Sequence, residues 1–95
     1  MERYQLRLFV AGRNARSERA IANLRRICEE DLGGGCDLSI IDVLEQPQEA
    51  EAEKILATPT LIKTEPLPIR RFIGDLSARE SVLAGLDHKP SIAQS

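Results

Sequence analysis

The chain predicts a single α/β domain with elements in the order β-α-β-α-β-β-α, and three observations carry that prediction. Tyr4, Leu6, Leu8 and Val10 alternate with Gln5, Arg7 and Phe9, the two-residue period of a strand with one buried face. Ala20, Ile21, Leu24, Ile27, Cys28 and Leu32 then recur at three- and four-residue steps, the apolar stripe of an amphipathic helix. A second β-prone run, Cys36–Leu44, follows at once. Two strands joined by one helix of this length form a parallel unit with a right-handed crossover.

The first strand spans Tyr4–Ala11 and is broken by Gly12-Arg13-Asn14. The helix starts at Asn14 or Ser17, either of which can cap it, and ends at Gly33-Gly34-Gly35. Its polar face carries Arg19, Arg25, Arg26, Glu29 and Glu30. In the second strand Ile40, Ile41 and Val43 are central and Asp42 intrudes. Gln46–Leu56 is a weak acidic helix with Pro47 suited to its first turn. Thr58–Lys63 and Pro68–Ile73 read as the third and fourth strands, and their prolines favour an edge or a bend over mid-sheet. Ser77-Ala-Arg-Glu80 reads as a capping box, followed by the apolar stripe of Val82, Leu83 and Leu86, with Gly85 weakening that helix by roughly 1 kcal/mol. Residues 1–88 form the domain and 89–95 a polar tail. This order, with a proline leading into the third strand, is the layout of a thioredoxin-like fold.

Ninety-five residues support one small core, and with only Phe9, Phe72 and Tyr4 as aromatics that core is aliphatic. A net charge of −2 argues against a generic nucleic-acid binder. No apolar run approaches the roughly 18 residues of a membrane span, and the N-terminus lacks a signal-peptide pattern, so the expected location is the cytosol. No membrane partner is expected.

The chemistry-bearing residues do not assemble an active site. A thioredoxin-type redox centre needs two cysteines at the start of the first helix, where the helix terminus lowers one thiol; here that stretch reads Gly12-Arg-Asn-Ala-Arg-Ser17. Cys28 falls on the buried stripe as an inert small hydrophobe, and Cys36 follows the glycines, more accessible but alone. A disulfide between them remains an alternative to two free thiols. His88 is the only histidine, with no metal-ligand spacing around it, and the glycine triplet lacks the Lys-Ser/Thr of a phosphate loop. Glu51 and Glu53 sit on a solvated helix with no pocket to act in. The expectation is a protein without catalytic residues, metal or cofactor.

Seven stretches resemble the KaiB family of circadian-clock proteins: Tyr4-x-Leu6-x-Leu8-x-Val10-Ala11-Gly12; Ile41-Asp42-Val43-Leu44; Gln46-Pro47-Gln48-x-Ala50; Lys54-Ile-Leu-Ala-Thr-Pro-Thr-Leu61; Arg70-Arg71; Ile73-Gly74-Asp75-Leu76-Ser77-x-Arg79-Glu80; and Val82-Leu83-x-Gly85-Leu86-Asp87. The match runs from Tyr4 to Asp87 without an obvious gap. The resemblance implies a non-enzymatic protein that binds the N-terminal ring of a KaiC-like hexameric ATPase and modulates its phosphorylation and ATPase cycle, in circadian rhythm or in timing and stress adaptation. It also implies a metamorphic chain: a thioredoxin-like monomer that binds the ring, and an alternative β-α-β-β-α-α-β ground state that is dimeric or tetrameric. The sensor kinase SasA carries a related N-terminal domain that keeps the thioredoxin-like fold, so a non-switching sensor or adaptor module is the second reading, and a redox protein the third.

Carried over position by position, the resemblance places the ring-binding set at Gln46, Pro47, Gln48, Ala50 and Lys54, with Arg70 and Arg71. Arg19 matches a basic position used toward KaiA. The fold-switch set is Thr58, Pro59, Pro66, Pro68, Gly85, Leu86 and Asp87. The residues agree with a divided chain: the first half has one-answer periodicity, whereas the second has weak helices, four X-Pro bonds and Gly85, and two packings a few kcal/mol apart suit such a sequence. Pro66 and Pro68 can also do no more than shape an edge hairpin. Three departures set this chain apart. It ends in Ser91-Ile-Ala-Gln-Ser95 rather than a long acidic tail, has Ser39 where clock members tend to be basic, and orders its charges differently over Glu49 to Glu53. These weigh against a KaiA contact and leave the KaiC-type contact standing.

Overall fold

The computed structural model describes residues 3–86. The expected Asp87 switch position, His88 and the tail lie outside the described residues. Eight segments follow in order: β1 (Tyr4–Val10), α1 (Ala15–Arg26) continued by a π-helical turn (Ile27–Asp31), β2 (Cys36–Asp42), α2 (Pro47–Ala52), β3 (Thr60–Glu65), β4 (Arg70–Ile73) and α3 (Arg79–Gly85). The sheet order is β2-β1-β3-β4; β1 runs parallel to β2, and β1–β3 and β3–β4 are antiparallel. The expected thioredoxin-like order is therefore present.

The two-residue period of β1 decides the layering. Leu6, Leu8 and Val10 point to one side, where they join Ala20, Leu24 and Ile27 of the first helix, Leu61 of β3, and Leu76, Val82 and Leu86. Phe9 points to the other side and meets Ile41 and Ile62, with Val43 and Ile55 at the rim. Asn14 caps α1, its Oδ1 accepting from the Ser17 amide at 2.9 Å. Asp42 intrudes for a reason visible at the strand ends. Its carboxylate accepts from the amides of Gly12 (3.1 Å) and Leu44 (2.9 Å), tying the exits of β1 and β2 together.

Several boundaries differ from expectation. β3 covers Thr60–Glu65 rather than Thr58–Lys63 and lies inside the sheet between β1 and β4. Its prolines stand just outside it, so no ladder donor is lost. The Thr60 hydroxyl donates back to the Ala57 carbonyl at 2.5 Å, which closes a turn through Thr58 and Pro59. The bonds before Pro59, Pro66 and Pro68 are all cis. β4 begins at Arg70 rather than Pro68, because the proline lacks the amide that an edge ladder uses. β2 ends at Asp42, whose side chain takes over the backbone's role, and Ile40 is partly exposed because β2 is an edge. α2 stops at Ala52, four residues short of Leu56, for the capping reason given below.

The capping box at Ser77 does not form. α3 starts at Arg79 with Ala78 at the cap and no side-chain cap bond. Ser77 is already engaged by Asp75, whose Oδ1 accepts from its amide at 3.1 Å, so Glu80 falls one position too early in the helix to close the box. Leu76 adopts φ 64, and that turn drives its side chain into the main core.

Candidate partner-binding site

α2 is held on the sheet by charge rather than by burial, since none of its residues is buried. Arg7 projects from β1 on the Phe9 side, its guanidinium 5.1 Å from the Phe9 ring centroid. Its Nη2 donates to Glu49 Oε1 at 2.8 Å and its Nη1 to Glu53 Oε2 at 3.1 Å. From β4, Arg71 Nη2 donates to the Glu53 carbonyl at 2.6 Å. Glu53, expected on a solvated face, is therefore half-buried between two arginines from different strands. Such pairs, in partial contact with water, contribute on the order of 1 kcal/mol or less each.

The end of α2 is a Schellman motif, with the Ile55 amide donating to the Ala50 carbonyl at 2.9 Å and the Lys54 amide to that of Glu51 at 3.1 Å. The residue in the left-handed position is Lys54, with φ 56, where glycine is usual. A side chain there costs roughly 1 kcal/mol, and strain of this kind clusters at functional sites. The turn sends Ile55 back against the Phe9 cluster and leaves Leu56 97% exposed. Two shallow clefts flank this loop and share Ile55, Leu56 and Ala57. One, of about 170 Å³, adds Lys54, Thr60, Arg71 and Ile73. The other, of about 220 Å³, adds Val43, Ala50 and Thr58.

Of the residues expected to bind a partner, Ala50, Lys54 and Arg71 are thus gathered around one exposed apolar loop. Gln46 stands at the N-cap position of α2 without a side-chain cap bond, and Pro47 and Gln48 form its first turn, all three exposed. Gln46 opens onto a separate polar cavity of about 420 Å³ with Arg13, Glu18 and Glu45. Arg70 is exposed on the edge strand. Arg19 is elsewhere, on the α1 side of the sheet, with its Nε 3.4 Å from Asp75. Of the switch set, Thr58 lines the second cleft and Pro59 is buried. Pro66 and Pro68 stand in the β3–β4 connection, where the buried Lys63 Nζ donates to the Pro66 carbonyl at 2.7 Å. Leu86 is buried, and a Cβ on Gly85 would collide with the Phe72 ring.

Cys28 and Cys36 are free, at the far end of α1 from the stretch Gly12–Ser17. Burial pushes both thiols above their ordinary range, which disfavours nucleophilic thiolates. Among the described residues no three His, Cys, Asp or Glu side chains gather as a metal site, and no helix there is long and apolar enough to cross a membrane.

The family model of the KaiB domain matches residues 7–88. The chain belongs to the KaiB family. It is 59% identical to circadian clock protein KaiB3 of Synechocystis sp. over 95% of this chain and 88% of that protein. It is 57% identical to the circadian clock oscillator protein KaiB of Synechococcus elongatus over 88% and 82%. Among solved structures, the N-terminal domain of Synechococcus elongatus SasA superposes with a TM-score of 0.73 at 25% identity, covering 94% and 88% of the two chains. Fasciola hepatica thioredoxin superposes with a TM-score of 0.71 at 17% identity over 92% and 82%, which shows the shared fold alone.

For a KaiB-family chain, sequence reading missed Leu56 and Ile73 as parts of this surface and Arg7 and Glu53 as its supports. A signal existed for Leu56: it lies in the short apolar run Ile55-Leu56-Ala57 just before Thr58-Pro59, where the weak acidic helix was expected to end. None existed for the Arg7–Glu53 pair, whose members are far apart in sequence.

Proposed function

We propose that this KaiB-family chain is a non-enzymatic regulator that docks on the N-terminal ring of a KaiC-like hexameric ATPase through α2, the 54–57 loop and β4. Docking modulates the ring's phosphorylation and ATPase cycle, in circadian rhythm or in timing and stress adaptation. One observation carries this reading: Leu56 and Ile73, 97% and 72% exposed, stand beside Lys54 and Arg71 on a single face. Exposed apolar side chains rimmed by charge are the anatomy of a protein interface. The cations set approach and orientation, while the apolar pair supplies burial. The surface needs no cofactor, and the protein acts in the cytoplasm.

The test is gel filtration with a KaiC homologue and ATP after long incubation. The expected result is co-elution, weakened about tenfold or more (~1.4 kcal/mol) by Leu56→Asp or Lys54→Glu and unchanged by Arg26→Glu on α1. Absence of a complex under every nucleotide condition overturns the reading.

The thioredoxin-like monomer is the docking form in this account, and an alternative β-α-β-β-α-α-β dimer or tetramer is its storage form. The likeness to the SasA domain favours a second reading, a non-switching module that competes for the same ring. NMR over days separates them: two slowly exchanging peak sets for residues after Glu49 support switching, and one set supports the competitor. A KaiA or sensor-kinase contact at Arg19 stands further off, because Arg19 already faces Asp75.

A further inference from the structure

We propose that β4 is a strand-addition site: the docking partner supplies an extended segment that pairs with the outer side of β4, with apolar residues at its first and fifth positions and a carboxylate at its third. This specifies the contact made in the docking proposed above and rests on that reading for the partner, not for the geometry.

β4 is an edge of the sheet, laddered to β3 on its inner side, and among the described residues no strand pairs with its outer side. The outward N–H and C=O groups of such an edge are a template for another chain. Alternation puts Arg71 and Ile73 on the α2 side of the strand, in register with Ile62 and Thr60. Both line the cleft of about 170 Å³ together with Lys54 and Leu56. Ile69, two positions before Arg71, is 59% exposed. The order apolar, cationic, apolar thus recurs at every second residue from Ile69 to Ile73.

An added strand reads that order through directly opposed side chains, about 5 Å apart. Apolar residues opposite Ile69 and Ile73 are covered, the second of them also by Leu56, and the residue between them meets Arg71. A guanidinium carries five donors. Arg71 Nη2 donates to the Glu53 carbonyl at 2.6 Å, yet the side chain is 45% exposed, which leaves N–H groups for a carboxylate on the solvent side. Lys54 adds a second cation to the cleft. Charge also decides what is refused. Two adjacent arginines, Arg70 and Arg71, oppose pairing of this edge with the same edge of a second copy and favour a segment carrying negative charge.

The first arm of the test titrates the full chain with a blocked peptide, Thr-Val-Thr-Glu-Thr-Val-Thr, followed by amide NMR. The expected result is saturable shifts confined to residues 54–57 and 69–74, with slowed hydrogen exchange of the outward β4 amides. Replacing the peptide glutamate by lysine weakens binding about tenfold (~1.4 kcal/mol), and Arg71→Gln abolishes that preference. Peptides N-methylated at alternate amides separate strand pairing from simple apolar contact: methylation on one edge blocks binding and on the other does not. Equal binding of the glutamate and lysine peptides by the native chain, or equal tolerance of both methylation patterns, overturns the proposal. So does concentration-dependent shifting of the β4 amides without peptide, which makes a second copy the occupant. The second arm measures hydrogen exchange of the chain bound to a KaiC homologue. A complex that leaves the β4 amides unprotected overturns this inference and leaves the docking standing. Peptide pairing by a chain that never joins the ring supports strand addition and removes the docking.

Discussion

On one face of the sheet, the first helix and α3 bury Leu8, Ala20, Leu24, Leu61 and Leu86 completely. On the other face a three-residue cluster of Phe9, Ile41 and Ile62 lies under a six-residue helix that buries nothing of its own. The first face is a conventional core, in which each buried leucine contributes about 1.5–3 kcal/mol. The second depends on Arg7, Glu49, Glu53 and Arg71, exposed enough for water to screen them. The difference teaches where this KaiB-family chain can afford to expose apolar residues. The thick face supplies the stability, and the thin face leaves Leu56 and Ile73 exposed, where docking is proposed.

The comparison breaks most sharply with paired truncations. Leu24→Ala leaves a cavity in the thick face and lowers stability by about 2–5 kcal/mol. Arg7→Ala on the thin face removes two ion pairs and a ring contact and lowers it by about 1 kcal/mol. Urea unfolding of both variants measures this, and equal losses would remove the distinction between the faces.

A second test probes the seam where α3 meets the sheet. A methyl on Gly85 would collide with the Phe72 ring, so Gly85→Ala alone is expected to destabilise by about 1 kcal/mol, because overpacking outweighs the helix preference. After Phe72→Leu the ring is gone, and Gly85→Ala is then expected to stabilise by about 1 kcal/mol. The cycle reads the coupling directly. Additive effects would show that the ring swings clear without cost.

These contrasts also show what the sequence could convey. The thick face was legible because its period is local: Leu6, Leu8 and Val10 announce a strand, and Ala20, Leu24 and Ile27 a helix, before any contact is known. Pro47 correctly marked the first turn of α2. The end of α2 was not legible, since a lysine holds the left-handed position that glycine would have signalled. Nor was the role of Ser77, where an aspartate two residues earlier competes for its amide. At the proposed docking surface, motif positions pointed to Ala50, Lys54 and Arg71, which the structure gathers around the 54–57 loop. Leu56 and Ile73 emerged only once β3 was placed inside the sheet and β4 at its edge.

Lys54 sharpens the comparison from the side of function. Lys54→Gly relieves the left-handed backbone and is expected to raise stability by roughly 0.5–1 kcal/mol, while removing the cation from the cleft and slowing association with the ring. Opposite signs in thermal melting and in binding rate are the expected outcome. If both fall together, the lysine is structural and the thin face is not tuned for a partner.

The smallest effect concerns the link between the thick face and the turn before α3. Asp75 accepts from Ser77 and faces Arg19, and the Ser77 bonds above all hold its carboxyl below the ordinary value of 3.8. The Asp75 carbonyl also accepts from Asn23 Nδ2 at 2.8 Å, so the turn is fastened to α1 at two points. A carboxyl lowered on folding adds stability that is complete above its unfolded pKa. As pH falls below 3.8 the unfolded chain takes up the proton first, and the contribution is lost as pH passes through the lower, folded value. Asp75→Asn preserves an acceptor for Ser77 but removes this titration. Its melting temperature should sit slightly below that of the native chain at pH 7, with the gap closing toward pH 3. Asp37, lowered by Arg3 and Gln5 across the β1–β2 edge, titrates in the same sense and serves as the parallel case. A gap that persists unchanged at pH 3 would mean that the turn is held by the Asn23 bond and the buried Leu76 alone, with no contribution from charge.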